Sequence, residues 1–377
     1  MRRRITAAVA ASTVLAVGTG LATALAGRWA SGTALGAARG GRPAGFAGIR
    51  FAVHASTADT LTLTRSAHAL RPGTYRLTGR SGSAVIGPPL DVASTPDTVV
   101  RQLISVGPGR LPPGSSVGLT PQLHTGTPRS ALGIEYTDVE LPHGSVRLPA
   151  WLVPGPRDTW VIALHGLGAT RELPLNVLPF LQELRFPVLL PGYRGDPGAP
   201  RRAERAYRLG AGEWRDAEAA LRFAVRAGAR RVVLYGWSTG ATMALHTATH
   251  SPLHQRVAGL VLDSPVLWPT ATLRAMAVRR GVPAVLRPWA VAAAQRGAPA
   301  GPPPVPPPGE RGTPPPMLLV HGPDDTIAPF AASRELAGRH ERNVVLHTVA
   351  QAQHAAMWNA DPDGYQEALR RFLTPLM

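Results

Sequence analysis

The chain has 377 residues, 44% of them hydrophobic, and a formal charge of +17; that is enough apolar sequence for a sizeable core and excludes disorder of the whole chain. Cysteine is absent, which excludes disulfides, zinc–thiolate sites and a cysteine nucleophile. All 40 cationic side chains are arginine. They are scattered, with neither a basic run nor interleaved aromatics, so the charge reads as a codon preference for Arg, Ala, Gly and Pro and not as a nucleic-acid surface.

Residues 1–29 open with Met1-Arg2-Arg3-Arg4 and continue as an uncharged run from Ile5 to Gly27. About 20 apolar residues cross a bilayer as a helix. The arginines would stay on the cytoplasmic side, with Arg28 and Trp29 marking the far interface. Ala24-Leu25-Ala26 also has the small-x-small form of a signal-cleavage site. The apolar run is long for a signal peptide, which favours an uncleaved anchor. Either reading places the rest of the chain outside the cytoplasm, as a single-pass protein of the cell membrane or as a secreted one.

Residues 30–50, rich in Gly, Ala and Arg, read as a linker. Residues 51–133 carry short β-type runs, such as Thr60–Thr64, Thr74–Leu77 and Thr98–Arg101. Turn signals such as Arg71-Pro72-Gly73 separate them. This is a small β-rich module without recognisable chemistry. Residues 134–377 alternate apolar strands with amphipathic helices, the pattern of a mostly parallel sheet with crossover helices. The expected parallel strands are 160–164, 187–190, 232–235, 257–262, 317–320 and 344–349. Segments 134–141 and 146–153 are expected to form an antiparallel edge, and 212–227 a helix. Residues 265–315 break the rhythm. Leu273–Val291 reads as helix and 298–316 as a proline-rich tether, so the segment is either a lid or a plain surface loop.

Gly236-Trp237-Ser238-Thr239-Gly240 follows a strand and precedes a helix. That is the setting of a nucleophile elbow, where a tight turn lifts a serine hydroxyl above the sheet and demands small residues on either side. A serine hydroxyl needs a base, and in this arrangement the order is serine, acid, histidine. Of the 12 histidines, His354 lies in a loop between the last strand and the last helix. His165 reads as a turn-organising residue. Asp324 and Asp325 compete as the acid, after the strand at 317–320; Asp263 is a further alternative that better suits a turn. Thr239 and Leu167 are the expected backbone donors of an oxyanion hole.

The blocks Tyr193-Arg194, Tyr207-Arg208-Leu209-Gly210, Glu213-Trp214-Arg215-Asp216 and Gly236-Trp237-Ser238 carry a resemblance, as does the ending His354–Pro362. From about residue 134 onward the chain resembles bacterial α/β hydrolases related to the prolyl-oligopeptidase-like and acetyl-xylan-esterase-like groups. Many actinobacterial members share a single anchor and a β-rich extension. The resemblance implies an α/β-hydrolase fold, preceded here by the membrane helix and the β-rich module. The family's acid stands in an H-G-x-x-D-x-x-x-P pattern, which here runs from His321 to Pro329 and selects Asp325. Its elbow usually reads G-W-S-M-G-G; here Thr239 and Ala241 replace Met and the last Gly. Gln351-Ala352-Gln353 stands where Gly-Ala-x often precedes the histidine.

The expected catalytic set is therefore Ser238, Asp325 and His354, with Leu167 and Thr239 as oxyanion donors and no cofactor or metal. The leading expectation is a serine esterase acting on a small-molecule ester, with no nucleic-acid partner and membrane contact through the N-terminal helix. A peptidase or amidase is the second reading, although 80 β-rich residues are too few for a substrate-screening propeller. A non-catalytic binding protein of the same fold is the third.

Overall fold

The computed structural model describes residues 43–46, 48–90, 94–200, 209–295, 303, 305–306 and 314–377. The segment 1–29, read as an anchor or signal, lies outside the described residues, as does most of the proline-rich tether. Among the described residues no helix is long and apolar enough to cross a membrane.

The β-rich module is a closed barrel. Its strands are β1 (Phe51–Ser56), β2 (Thr60–Thr64), β3 (Tyr75–Thr78), β4 (Gly82–Leu90), β5 (Thr98–Gly109) and β6 (Ser116–Thr120). They run in the order β1-β2-β5-β4-β3-β6, and β6 pairs back onto β1. Alternation produces the interior: Leu61 and Leu63 of β2, and Tyr75 and Leu77 of β3, point inward while their neighbours face out. Closure leaves no open sheet edge to pair with another chain. The run 30–50, expected as a linker, proves partly structural. Ala44–Phe46 form a buried 3-10 turn, and Phe46 sits in the barrel core.

Arg101 of β5 is fully buried beside this core. Its guanidinium donates to the carbonyls of Gly87 (2.6 Å), Ala69 (2.8 Å), Arg71 (2.7 Å) and Gly73 (2.8 Å). Burial pulls its pKa down to about 10, so it stays charged at neutral pH. Three of the four bonds fix the loop between β2 and β3, which leans on the second domain, and the bond to Gly87 ties Arg101 to β4.

That domain is one eight-stranded sheet. Its strands are β7 (Thr137–His143), β8 (Val146–Val153), β9 (Thr159–Leu164), β10 (Val188–Pro191), β11 (Arg231–Trp237), β12 (Val257–Asp263), β13 (Met317–His321) and β14 (Val344–Thr348). The order is β14-β13-β12-β11-β9-β10-β8-β7. The two edge strands β7 and β8 are antiparallel, and the other six run parallel to one another. Central strands are buried on both faces; every residue of β9 is buried. Continuous apolar runs are what a sheet covered by helices requires. Register aligns the carboxyl ends: Gly236 lies beside Leu164, Trp237 beside Asp263, and Asp263 beside Val320. The loops that follow these strands therefore open at one rim, where such sheets place their ligands.

The expected helix Leu273–Val291 is in fact two, Pro269–Arg279 and Arg287–Gln295. Gly281 in the left-handed region (φ 71°) and Pro283 separate them; proline cannot continue the preceding helical hydrogen-bond ladder. Their inner faces supply Leu273, Met276, Val291 and Ala294 to an apolar cluster with Ala44, Leu167 and Ile327.

Substituting Arg101→Met removes the donor from four carbonyls, those of Gly87 and Ala69 buried and those of Arg71 and Gly73 part-buried. Each such group costs about 1–3 kcal/mol, so the barrel is expected to lose roughly 3 kcal/mol or more. Thermal unfolding followed by limited proteolysis checks this: the midpoint falls by several degrees and the 65–74 loop is cut first. An unchanged midpoint refutes the anchoring role.

Candidate active site

The turn from β11 into the helix Thr239–His250 carries Ser238 at φ 54°, ψ −116°. This is a conformation a side-chain-bearing residue adopts only under constraint. The constraint is visible. The Ser238 N–H donates to the Asp263 carbonyl (2.8 Å). A Cβ on Gly236 would lie 2.4 Å from the Ala241 nitrogen, and one on Gly240 only 2.0 Å from the Leu164 carbonyl oxygen. Both glycines are demanded by close approach of backbone to backbone.

Strain here presents the hydroxyl to its base. Ser238 Oγ lies 2.7 Å from His354 Nε2, and His354 Nδ1 lies 2.7 Å from Asp325 Oδ2. The structure thus joins the three residues picked from sequence into one chain of hydrogen bonds, all three buried. The ring's order is set by the acid: Nδ1–H donates to the carboxylate, leaving Nε2 to accept from the serine hydroxyl.

Asp325 is the most heavily solvated carboxylate of the site, and protein groups do the solvating. Its Oδ1 accepts from the backbone N–H of Ile327 (2.7 Å) and Ala328 (2.9 Å). Its Oδ2 accepts from His354 and from His321 Nε2 (2.9 Å). Burial by itself would raise the carboxyl's pKa. The attraction of His354 and the hydrogen bonds from both imidazoles outweigh burial and hold it well below the usual range. His321 ends β13 and precedes the acid by four residues. It is a supporting group: fully buried, it holds the acid with one nitrogen and meets Ser333 Oγ (2.8 Å) with the other. Its place in the H-G-x-x-D pattern was the available signal.

The competing aspartates have other tasks. Asp324 Oδ2 accepts from the Gln351 N–H (2.7 Å). Gln351 stands at φ 58°, in the region where glycine is unstrained. That accounts for the glycine so often found there in the resembling family. Asp263 is fully buried, and its carboxyl accepts from Ser264 Oγ (2.7 Å) and Tyr365 OH (3.0 Å). Tyr365 OH in turn meets Tyr235 OH (2.6 Å). Ser264 Oγ also accepts from the Ala355 N–H (3.0 Å), next to the base. The Asp263 network therefore ends on the backbone of the His354 loop. Burial pushes the Asp263 carboxyl up from 3.8 to about 7, against the two hydroxyl donors.

The oxyanion donors are differently arranged from expectation. The Leu167 N–H is aimed at Thr239 Oγ1 (2.9 Å), so in this state the side chain that replaces the usual methionine occupies one of the two donors. An N–H serves one strong acceptor at a time, and a substrate oxygen must compete with Thr239. His165 organises its loop, meeting Asp196 Oδ2 (2.9 Å) and stacking on Tyr193 (4.3 Å between centroids). The Tyr193-Arg194 and Glu213–Asp216 blocks meet as an ion pair: Arg194 Nη2 lies 2.8 Å from the buried Asp216 Oδ1.

Thr239→Val keeps the shape of residue 239 and releases the Leu167 N–H. A neutral hydrogen bond is worth about 1 kcal/mol, so kcat on a p-nitrophenyl ester is expected to rise about fivefold; a fall would show that the hydroxyl itself assists the oxyanion. For Asp263 the folded pKa exceeds the unfolded one. The group thus adds stability below about pH 4 that is lost as pH rises through about 7. Urea unfolding at several pH values should show the wild type losing stability across that window relative to Asp263→Asn. A constant difference between the two refutes the shift.

Residues 159–287 match the family described as alpha/beta hydrolase fold. Residues 52–120 match a domain of unknown function, DUF8805. No curated protein matches the chain. The structure is similar to the Pyrococcus furiosus esterase Pf2001 in three crystal forms. Identities are 22%, 22% and 21%, with TM-scores of 0.54, 0.53 and 0.51. The alignments cover 67% of this chain and 94%, 96% and 94% of the esterase. The family match spans the elbow, and a serine, a histidine and an aspartate are joined across the rim of the sheet; the chain has the α/β-hydrolase fold.

Proposed function

We propose that the protein is a carboxylic-ester hydrolase working through an acyl-enzyme on Ser238. The observation that carries this reading is the unbroken chain Ser238 Oγ–His354 Nε2 and His354 Nδ1–Asp325 Oδ2, each link 2.7 Å. His354 takes the serine proton as Oγ attacks the carbonyl carbon. Asp325 keeps the imidazole oriented and stabilises the imidazolium without itself becoming protonated. The tetrahedral oxyanion collapses, the alcohol leaves with the proton from His354, and water repeats the sequence to release the acid. The oxyanion would be met by the Thr239 N–H, at the helix start, and by the Leu167 N–H once it leaves Thr239 Oγ1.

An ester is favoured over a peptide by the surroundings. Beside Leu167 lies a buried apolar cluster that includes Leu209, Val266, Leu273, Met276 and Ile327, and we read its edge as the wall an acyl chain would meet. The small barrel offers no propeller-like tunnel for peptides. The esterase named above shares the fold and is consistent with this choice. We read residues 5–27 as the anchor that would hold the enzyme at the outer face of a cell membrane.

Hydrolysis of p-nitrophenyl butyrate should fall about a million-fold in Ser238→Ala, the usual scale for loss of a triad nucleophile. A fluorophosphonate probe should label the wild type and not the variant. Equal rates in the two proteins overturn the proposal, as does turnover of chromogenic peptides without ester cleavage.

A further inference from the structure

Where the barrel, the helix Pro269–Arg279 and the His354 loop adjoin, four polar side chains lie near one another, with Arg279 against His68 and Arg71 within electrostatic reach of His68, Tyr75 and Arg279, and their unpaired atoms are all donors. They are His68 and Arg71 from the loop between β2 and β3, Tyr75 from β3, and Arg279 from the end of the helix Pro269–Arg279. Among the described residues, His68 Nδ1, Arg71 Nη1, Tyr75 OH and Arg279 Nε are each cut off from solvent and have no hydrogen-bond partner. Arg279 Nη2 donates to the Gly45 carbonyl (3.1 Å) and faces His68 Nε2 (3.4 Å). A histidine that accepts at Nε2 carries its proton on Nδ1, so the unpaired atom is a donor there as well. Burial and the two arginines together push the His68 pKa down to about 4, which keeps the ring neutral.

Arg71 and Arg279 are within electrostatic reach of each other. Two like charges, partly desolvated and short of acceptors, are costly unless an anion completes them. The carboxylates in reach of Arg71 are Asp324 and Asp325. Neither forms an ion pair with it among the described residues: Asp325 is saturated by two imidazoles and two backbone N–H groups, and Asp324 is turned to Gln351. What the junction lacks is an acceptor with negative charge and more than one oxygen, the group that guanidinium donors bind best.

The junction also adjoins the chemistry. The Gly45 carbonyl that receives Arg279 also receives Gln353 Nε2 (3.2 Å). A Cβ on Gly45 would touch His354 Cβ at 3.0 Å. Helix Pro269–Arg279 carries Leu273 and Met276 into the apolar wall beside Leu167. An acyl chain lying along that wall would run toward Arg279. As whole side chains His68, Arg71 and Arg279 are only half-buried, so modest side-chain movement opens the cluster.

We propose that His68, Arg71, Tyr75 and Arg279 form an anion site that takes an oxyanionic group on the substrate's acyl part, a terminal carboxylate being the simplest case. The site rests on the ester reading only for its occupant; its donors stand without it. Two measurements separate the two claims. In the Ser238→Ala protein, with no turnover, glutarate is expected to raise the thermal midpoint by a few degrees over an equal ionic strength of chloride. Arg71→Gln or Arg279→Gln in that background should abolish the shift, and its absence in Ser238→Ala itself overturns the anion site. In the wild type, mono-p-nitrophenyl esters of succinate, glutarate, adipate and suberate are compared with neutral p-nitrophenyl esters of equal length. At the best length the acid is expected to win by at least tenfold in kcat/KM, and Arg279→Gln should cut that ratio at least fivefold. A wild-type ratio of one or below at every length overturns the assignment to substrate, and needs no arginine variant to fold. If no ester turns over while the glutarate shift persists, the ester reading falls and the anion site stands.

Discussion

The left-handed backbone at Ser238 is the constraint on which the site depends. Holding a side-chain-bearing residue there costs about 1–3 kcal/mol, and only a rigid frame sustains it. The frame is the register of β11 between β9 and β12, which brings the Leu164 carbonyl against Gly240 and the Asp263 carbonyl onto the Ser238 N–H. Relaxing the turn would let the helix Thr239–His250 drift from the sheet and carry Oγ away from His354. The strained turn is therefore matched by flanking strands buried on nearly every residue. Strand burial, glycine spacing and nucleophile placement are one requirement seen at three scales.

The three aspartates at the same rim show how surroundings decide chemistry. Asp325 and Asp263 are both buried. Asp325 meets backbone N–H groups and imidazoles, and its charge is stabilised. Asp263 meets only hydroxyls, which compensate burial incompletely, so its neutral form is favoured. Asp324, near solvent, serves as a backbone anchor. Burial penalises charge in every case, and the number and kind of donors decide whether the penalty is met. Only Asp325 is placed and charged so as to orient an imidazole; Asp263 steadies the loop from behind through Ser264 and the Ala355 N–H.

Much of this is legible in the sequence, for identifiable reasons. Strands buried on both faces write themselves as apolar runs, so β9, β11, β12 and β13 stand out. The elbow carries a spacing that sterics impose. The choice between Asp324 and Asp325 is of another kind: adjacent residues look equivalent in composition and periodicity, and only a family pattern separated them. What stayed hidden depends on contacts distant in sequence. Barrel closure needs β6 to find β1, and no local signal announces it. The part played by His321 rests on an imidazole reaching a carboxylate four residues on. The break at Gly281 and Pro283 was written in the chain, but apolar spacing carried the helix reading through it. The buried turn Ala44–Phe46 looks like linker because the partners of Ala44 and Gly45 lie more than a hundred residues away.

That turn changes what the barrel is for. Phe46 fills the barrel core, Ala44 enters the apolar cluster beside Leu167, and Gly45 lies between them against Gln353 and His354. Three consecutive residues thus tie the barrel core, the acyl wall and the back of the catalytic base together. Asn359 adds a second tie, exchanging backbone and side-chain bonds with Thr74 (2.9 and 2.8 Å). A barrel attached so closely cannot move without disturbing the His354 loop, whose residues Gln351 and Ala355 already sit in the left-handed region. The hydrolase sheet supplies Ser238, Asp325 and His354, while the apolar cluster beside Leu167 takes Ala44 from the turn that leads into the barrel. On the function proposed above, specificity would then be a property of the junction between the two domains.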